Sequence, residues 1–588
     1  MGIKVSSFDE VSRLISGNPL RNFPSQSKGR DRLFPVPRPR ITTSRTIPAD
    51  AKFFCIGACF ARAVERALAA AGRTVLSSQT GLGLPGSVEE QFNRYNVFNL
   101  DVGMNEVRWA LGVHDAPWDA PLVRMGENHT DLQLHWAFAH PEEKARQYRK
   151  MYNDSFKSIV DADVVVLAAA GIRQWFDRQT GIYVNAMPPG SLIKAYPGRF
   201  ELHEFDVEGC ADRLRFAIRT IRENCPRAPL ILVGVAPVWQ PMSLTSGDSL
   251  IDQLKVKATQ RLAVEDVCAE QDGVEYLPAM ENALLGDFRF GFLDNSPNHT
   301  SPHLAERVVS DLLEDYGADD HGPAILSARS HGEAALMAGD PARALALCEP
   351  VATAGAANSD FALLYARALS RSGRTSDAIT YLVEAIGQRG ASQPERLWLA
   401  AVQLLRPDEA ELAERLRSVG ERIGADLRYL EARLTPRSQQ DGTVRKALTD
   451  AALAMRERDF ERALAALEAA KEWRRDLLPM TRDRYDIMKL QSLAGLKRFR
   501  LAVEGTVAAL REDDQPSPTL FKQACVTLGK SLVPENLVLI DALERIGVER
   551  FSEEQQSEGA VHTGMEKLRS VRKKVTQRAA MRATRESS

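Results

Sequence analysis

The chain has 588 residues, 44% hydrophobic and 26% charged, the balance of an ordinary globular protein and too long for a single core. A formal net charge of −2 gives the whole molecule no electrostatic case for binding nucleic acid or a membrane surface. Seven scattered cysteines define no disulfide framework and fit a reducing, cytoplasmic compartment, and no run approaches the roughly 20 apolar residues that span a bilayer.

Residues 1–50 are rich in Pro, Ser and Arg ("NFPSQSKGRDRLFPVPRPRITTS") and read as an extended leader over the domain that follows. Residues 51–320 alternate short apolar runs with helical patterns. "FFCIG" is a strand, and "ARAVERALAAAG" is a helix closed by Gly72. "TVLSS" is a second strand, and "ADVVVLAAAG" (162–171) has the continuous apolar character of a strand buried on both faces. An amphipathic helix, "LRFAIRTIREN", leads to another buried strand, "PLILVGVAPV" (229–238). A long helix, "LIDQLKVKATQRLAVEDVCAEQ", and a last strand, "VEYLPAM", complete the set. Strands separated by helix-sized intervals predict an α/β domain with a doubly wound, mostly parallel sheet covered on both faces.

After about residue 322 the strands stop and the chain becomes alanine-rich. "EAALMAGDPARALALCEPV" is followed by "YARALSRSGRTSDAITYLVEAI", which puts Gly339 and Gly373, and also Ala344 and Ala378, 34 residues apart (373 − 339 and 378 − 344). That is the tetratricopeptide period. A weaker third copy runs through "LWLAAVQLL", and a later pair aligns Ala463 with Ala502 at 39 residues (502 − 463). Residues 325–550 are therefore expected to form an all-α helical-repeat array. The last stretch, 556–588, has eight Lys/Arg against two Glu from residue 564 onward and reads as a basic, disordered tail.

In a doubly wound sheet, ligands bind beyond the C-terminal ends of the strands. Cys59 falls between the first strand and its helix, in the positive field of a helix N-terminus that favours a thiolate. The competing reading is a small buried hydrophobe. His299 and His303 lie in a loop before the last helix of the domain, where either is a candidate general base. Ser301 or Thr300 is placed to cap that helix. The stretch 167–185, with Gly171 and Trp175, follows the middle strand and is a candidate source of backbone N–H groups for an oxyanion. "TSGDSL" (245–250) spells an esterase motif in the wrong place, after a late strand, so Ser249 is read as a helix cap.

These residues carry a resemblance. Gly57-Ala58-Cys59-Phe60-Ala61 matches four of five positions of the Gly-Ser-Cys-Phe-Ala motif of the GSCFA family, a branch of the SGNH (GDSL-like) hydrolases. "WFDRQTGIYVN", "ILVGVAPV", "VEYLPAMEN" and "NHTSPH" resemble later family segments in the same order, over about residues 30–315. The resemblance implies an SGNH/flavodoxin-like fold with Cys59 as nucleophile and His299 as base. Gly57, Ala58, Asn93, Asn96, Gly171 and Trp175 would form the oxyanion and substrate pocket, with no metal and no cofactor. The substrate class it implies is an acylated sugar or polysaccharide, by hydrolysis or acyl transfer. The departures are Ala58 for the family serine, Ser296 for the Asp before the histidine (with Asp294 two residues further back), and Ala168-Ala169-Ala170-Gly171…Arg173 for a Thr-Leu-Gly-Leu…Glu segment. They leave open a second reading, an eroded domain serving as a scaffold. In that case the helical repeats recruit a protein partner.

Overall fold

The apolar runs read as buried strands form the middle of one parallel sheet in the computed structural model. The structure describes all residues except 1–4, 25–32, 34–35, 79–95, 136–138, 170, 294–297, 318–320, 389–392, 435–439, 478, 514–515, 553–558 and 587–588. The strands are β1 (Lys52–Ile56), β2 (Thr74–Val75), β3 (Val164–Ala169), β4 (Leu230–Val235) and β5 (Val274–Leu277), in the spatial order β5-β4-β3-β1-β2. All four pairings are parallel. The first crossover steps outward from β1 to β2, and the next returns to β3 on the other side of β1. This is the doubly wound order, with its topological switch point between β1 and β3.

Side chains alternate across the sheet and both faces are covered. Phe54 and Ile56 of β1 and Val165 and Leu167 of β3 enter one apolar core, while Phe53, Cys55, Val164 and Val166 enter the other. The first core is closed by α2 (Leu100–Ala110), α3 (Val207–Asn224) and α4 (Ser249–Glu270), through residues such as Val107, Ile218 and Val264. The second is closed by α1 (Cys59–Ala70) and α5 (Pro302–Asp315), which pack on each other. Burial on two sides explains why these strands read as unbroken apolar runs. An antiparallel hairpin (Leu122–Met125 with Asn128–Asp131) and a three-stranded antiparallel sheet (Arg173–Asp177, Ile182–Val184, Phe200–Glu204) are inserted between the parallel strands.

Residues 38–45 of the leader are bound to the α/β domain. Arg38 pairs with Asp311 and Glu314, Arg40 with Asp315, and Arg45 with Glu275. It is not wholly extended, because Phe8–Gly17 is a helix whose first turn is closed by a capping box between Ser7 and Glu10.

The chain divides into two compact units, Met1–Leu427 and Arg428–Ser588, so the division falls inside the stretch read as one array. In the first unit, helical hairpins pair His321–Met337 with Pro341–Cys348, Ser359–Arg371 with Thr375–Ile386, and Pro394–Leu404 with Ala410–Ile423. Gly339 and Gly373 take φ of +80° and +82° at the turns, and Ala344 and Ala378 are fully buried five residues later. The second unit keeps this register with different residues. Arg458 and Lys497 take φ of 58° and 60°, five residues before buried Ala463 and Ala502. The segment expected to be a disordered tail is helical over Gly559–Glu586. Its Val561, Leu568, Val571 and Val575 are buried in the core of the second unit, an apolar stripe within a basic run. Among the described residues, no helix is long and apolar enough to cross a membrane.

Candidate active site

The switch point is built around Gly57. A Cβ at this position would lie 2.7 Å from the Ala168 Cβ and 2.9 Å from the Ala61 Cβ, so only glycine lets the chain leave β1 this close to β3. The Gly57 carbonyl accepts from the Val97 N–H at 2.9 Å, which ties the segment before α2 to the same turn. Ala58 follows as the N-cap of α1, buried and with no side-chain cap to offer. Cys59 is the first residue of the helix and is partly buried. The Phe60 N–H and its own N–H are directed at the sulfur and favour the thiolate, as does the positive charge of Lys257. Burial is the larger influence and pushes the thiol up from its ordinary value.

Lys257 escapes a reading by sequence motif. It lies on α4, and its Nζ donates to the carbonyls of Ala236 at 2.6 Å and Val238 at 2.7 Å, just past the end of β4. Its residue is 3% exposed, and burial pushes the amine down to about 7, opposed by Cys59. One signal in the sequence does point to it. The stripe that α4 turns to the core runs Gln253, Val256, Lys257, Gln260, Ala263, Val264, Val267, so a cation interrupts an inward-facing helical period.

The other expected residues are spread more widely. Asn96 is buried beside Val97; its carbonyl accepts from Asn185 Nδ2 at 2.6 Å, and its own Oδ1 is buried without a partner among the described residues. Asn93 lies outside the described residues. His299 is exposed on a short loop closed by the bridge between Phe292 and Thr300, and its carbonyl accepts from the Leu293 N–H at 2.9 Å. Phe292, at the base of that loop, shares an apolar core with Phe60 and Ala61. Among the described residues no hydrogen bond joins His299 to Cys59, and His299 is not among the groups that act on the thiol. Asp294 and Ser296 lie outside the described residues. His303 turns to Glu306 at 3.3 Å. Ser301 caps α5, accepting from the Leu304 N–H.

Two stretches have structural roles. Residues 173–184 form a β-hairpin of the inserted sheet, where Trp175 faces Val184 and Leu202 and packs with Val123 and Leu192. Gly171 sits against Gln240, where a Cβ would come to 3.0 Å from its Nε2. Arg173 binds Asp252 through both oxygens, at 2.8 and 2.9 Å, and also reaches Glu204. The "TSGDSL" serine does not cap its helix. Asp248 does, accepting from the Leu250 N–H, and Ser249 is exposed beside it. Among the described residues, no group of His, Cys, Asp and Glu is arranged to hold a metal ion.

Residues 52–309 match the GSCFA family, and residues 335–405 match the tetratricopeptide repeat. No curated protein matches the chain. Among solved structures, the crystal structure of the P58(IPK) TPR domain aligns with 62% of this chain and 94% of its own at 13% identity. Its TM-score of 0.17 carries no argument, and the helical repeats rest on the hairpins described above. A hydrolase-like domain and a protein-interaction repeat are the two functional elements these matches bring together. The chain carries a GSCFA family domain followed by a tetratricopeptide-type repeat.

Proposed function

We propose that the α/β domain is a cytoplasmic acyl-ester hydrolase or acyltransferase with Cys59 as nucleophile, and that the repeats recruit a protein partner. The observation that carries this reading is the place of Cys59. It opens α1 at the topological switch point of the sheet, with backbone N–H groups directed at its sulfur. The thiolate attacks the ester carbonyl and expels the alcohol, leaving an acyl thioester. Water or an acceptor hydroxyl then releases the acyl group and restores the thiol. His299 is the base that takes the Cys59 proton and delivers it to the departing alkoxide, then takes a proton from the second nucleophile and returns it to the sulfur. An acylated sugar or polysaccharide is the substrate class, by resemblance to the family.

Ala58 bears on the choice between active enzyme and eroded scaffold. The family serine falls on the N-cap, where a hydroxyl would cap the helix. Its loss removes a cap worth about 0.5–2 kcal/mol and leaves the nucleophile position in place. The scaffold reading draws on the same alanine, because it abolishes one of the two hydroxyl or thiol groups of the motif. Purified protein assayed on p-nitrophenyl acetate and acetylated xylan decides between them. We expect turnover that falls to background in Cys59→Ala, falls by about 10²–10⁴ in His299→Ala, and is unchanged in Ser249→Ala. Turnover unchanged in Cys59→Ala overturns the assignment, and no turnover in the wild type favours the scaffold.

A further inference from the structure

Four glutamines lie about the C-terminal ends of β3 and β4, and each has an amide atom buried without a hydrogen-bond partner among the described residues. They are Gln174 Oε1, Gln240 Oε1, Gln253 Nε2 and Gln260 Oε1. Contacts link them into one region. Gln174 and Gln260 line the same cavity as Ala169 and Gly171. Gly171 lies against Gln240, whose backbone N–H donates to Gln253 Oε1 at 3.1 Å. Gln253 and Gln260 belong to the inward stripe of α4. Buried polar groups are nearly always paired, so a cluster of open ones marks a place that a ligand or ordered water completes.

The cavity limits what can complete it. Its volume of about 30 Å³ has room for about two water-sized groups. Two of its lining residues, Gln174 and Gln260, are 5% and 4% exposed and carry acceptors with no donor. A third, Arg213, carries a buried Nε–H with no acceptor. The charge of Arg213 is already met by Asp101, which accepts from Nη1 at 3.2 Å. Asn99, also in the lining, is spent on the Val102 N–H and the Val184 carbonyl. An anion here would face two carbonyl oxygens, and an ammonium ion would face a guanidinium. A hydroxyl donates once and accepts twice, so it suits both kinds of open group.

We propose that this cavity at the end of β3 is a hydroxyl-binding subsite for a neutral polyhydroxylated ligand, held by Gln174, Gln260 and Arg213. The inference rests on the reading of the domain as one that acts on a hydroxylated substrate, and it names the residues that select a neutral one. The volume admits a hydroxymethyl group or two neighbouring hydroxyls, with the rest of the ligand outside, along an Arg213 side chain that is 36% exposed. These contacts hold the ligand, and no bond is made or broken in the cavity.

The test is a titration of the purified protein with glycerol, xylotriose and cellotriose, and with trigalacturonate as the acidic counterpart, followed by saturation-transfer NMR. The wild type should bind the neutral trisaccharides in preference to trigalacturonate. Gln260→Leu should weaken that binding by about fivefold, the worth of one ordinary hydrogen bond. It should also melt no lower than the wild type, because it removes an unpartnered buried amide. Gln174→Met, on a different element, repeats the test should one variant fail to fold. Unchanged binding in a folded variant overturns the subsite. So does a wild type that binds none of the three neutral probes, which leaves the cavity to water alone. Ester turnover separates this claim from the proposed activity. Binding that persists in Cys59→Ala, in a protein without turnover, keeps the subsite and removes the enzyme. Turnover that needs Cys59 but is matched by unchanged binding in Gln260→Leu keeps the enzyme and removes the subsite.

Discussion

The end of the parallel sheet and the groove of the first helical repeats treat charge in opposite ways. In the groove, every arginine meets a carboxylate. Arg329 bonds Glu306 at 2.7 Å and Asp360 at 3.2 Å, Arg396 bonds Asp360 at 2.7 Å, and Arg367 bonds Glu333. These pairs stand at the rim of a cleft floored by Leu363, Leu364 and Leu382, and most are half in water. At the sheet end, Lys257 is buried with its Nζ on two carbonyls. Paired charges near solvent contribute little to stability and present a balanced surface to a partner. A buried charge with no carboxylate lowers stability, and its retention points to chemistry.

Three substitutions sharpen or break that contrast. The largest effect belongs to the repeat core. Trp398 is fully buried, its Nε1 donates to the Leu416 carbonyl at 2.7 Å, and its ring lies against Gly420. Trp398→Ala should cost about 3–5 kcal/mol in chemical denaturation. A loss below about 1 kcal/mol would show that this hairpin is not packed as described.

Lys257→Met should act in the opposite direction and raise the melting temperature. Folding lowers this amine from its ordinary 10.5 to about 7, so the unfolded chain binds the extra proton between those values. Wild-type stability therefore falls as pH drops from about 10.5 towards 7 and levels off below. The gain from Lys257→Met should be greater at pH 7 than at pH 10 in parallel melts. An equal gain at both would mean that Lys257 is not buried as an amine. The smallest effect is at the groove rim, where Arg396→Ala should change stability by less than about 1 kcal/mol. A larger loss would make these rim pairs structural and erase the contrast.

Much of the fold was legible because its signals are local. β1, β3 and β4 are buried on both faces, so each shows an unbroken apolar run. Gly339 and Gly373 mark repeat turns because left-handed backbone favours glycine. The same turns at Arg458 and Lys497 are silent, since no side-chain type announces them. The final helix was obscured by its basic residues, although Val561, Leu568, Val571 and Val575 keep helical spacing. At the candidate site, the place of Cys59 was readable from a strand, a glycine and a helix in succession.

The sequence by itself determined the strand runs, the nucleophile turn and the 34-residue helical period, because each depends on residues within a few turns of one another. Tertiary structure alone decided what surrounds Cys59. The parallel order β4-β3-β1 sets the turn after β1 against β3, where Gly57 meets Ala168, and Lys257 on the following helix closes the end of β4 through the Ala236 and Val238 carbonyls. It also decided that Trp175 packs within the inserted sheet and that His299 stands exposed on its loop. Which side chains meet beyond the strand ends depends on long-range strand pairing, and no local period encodes it.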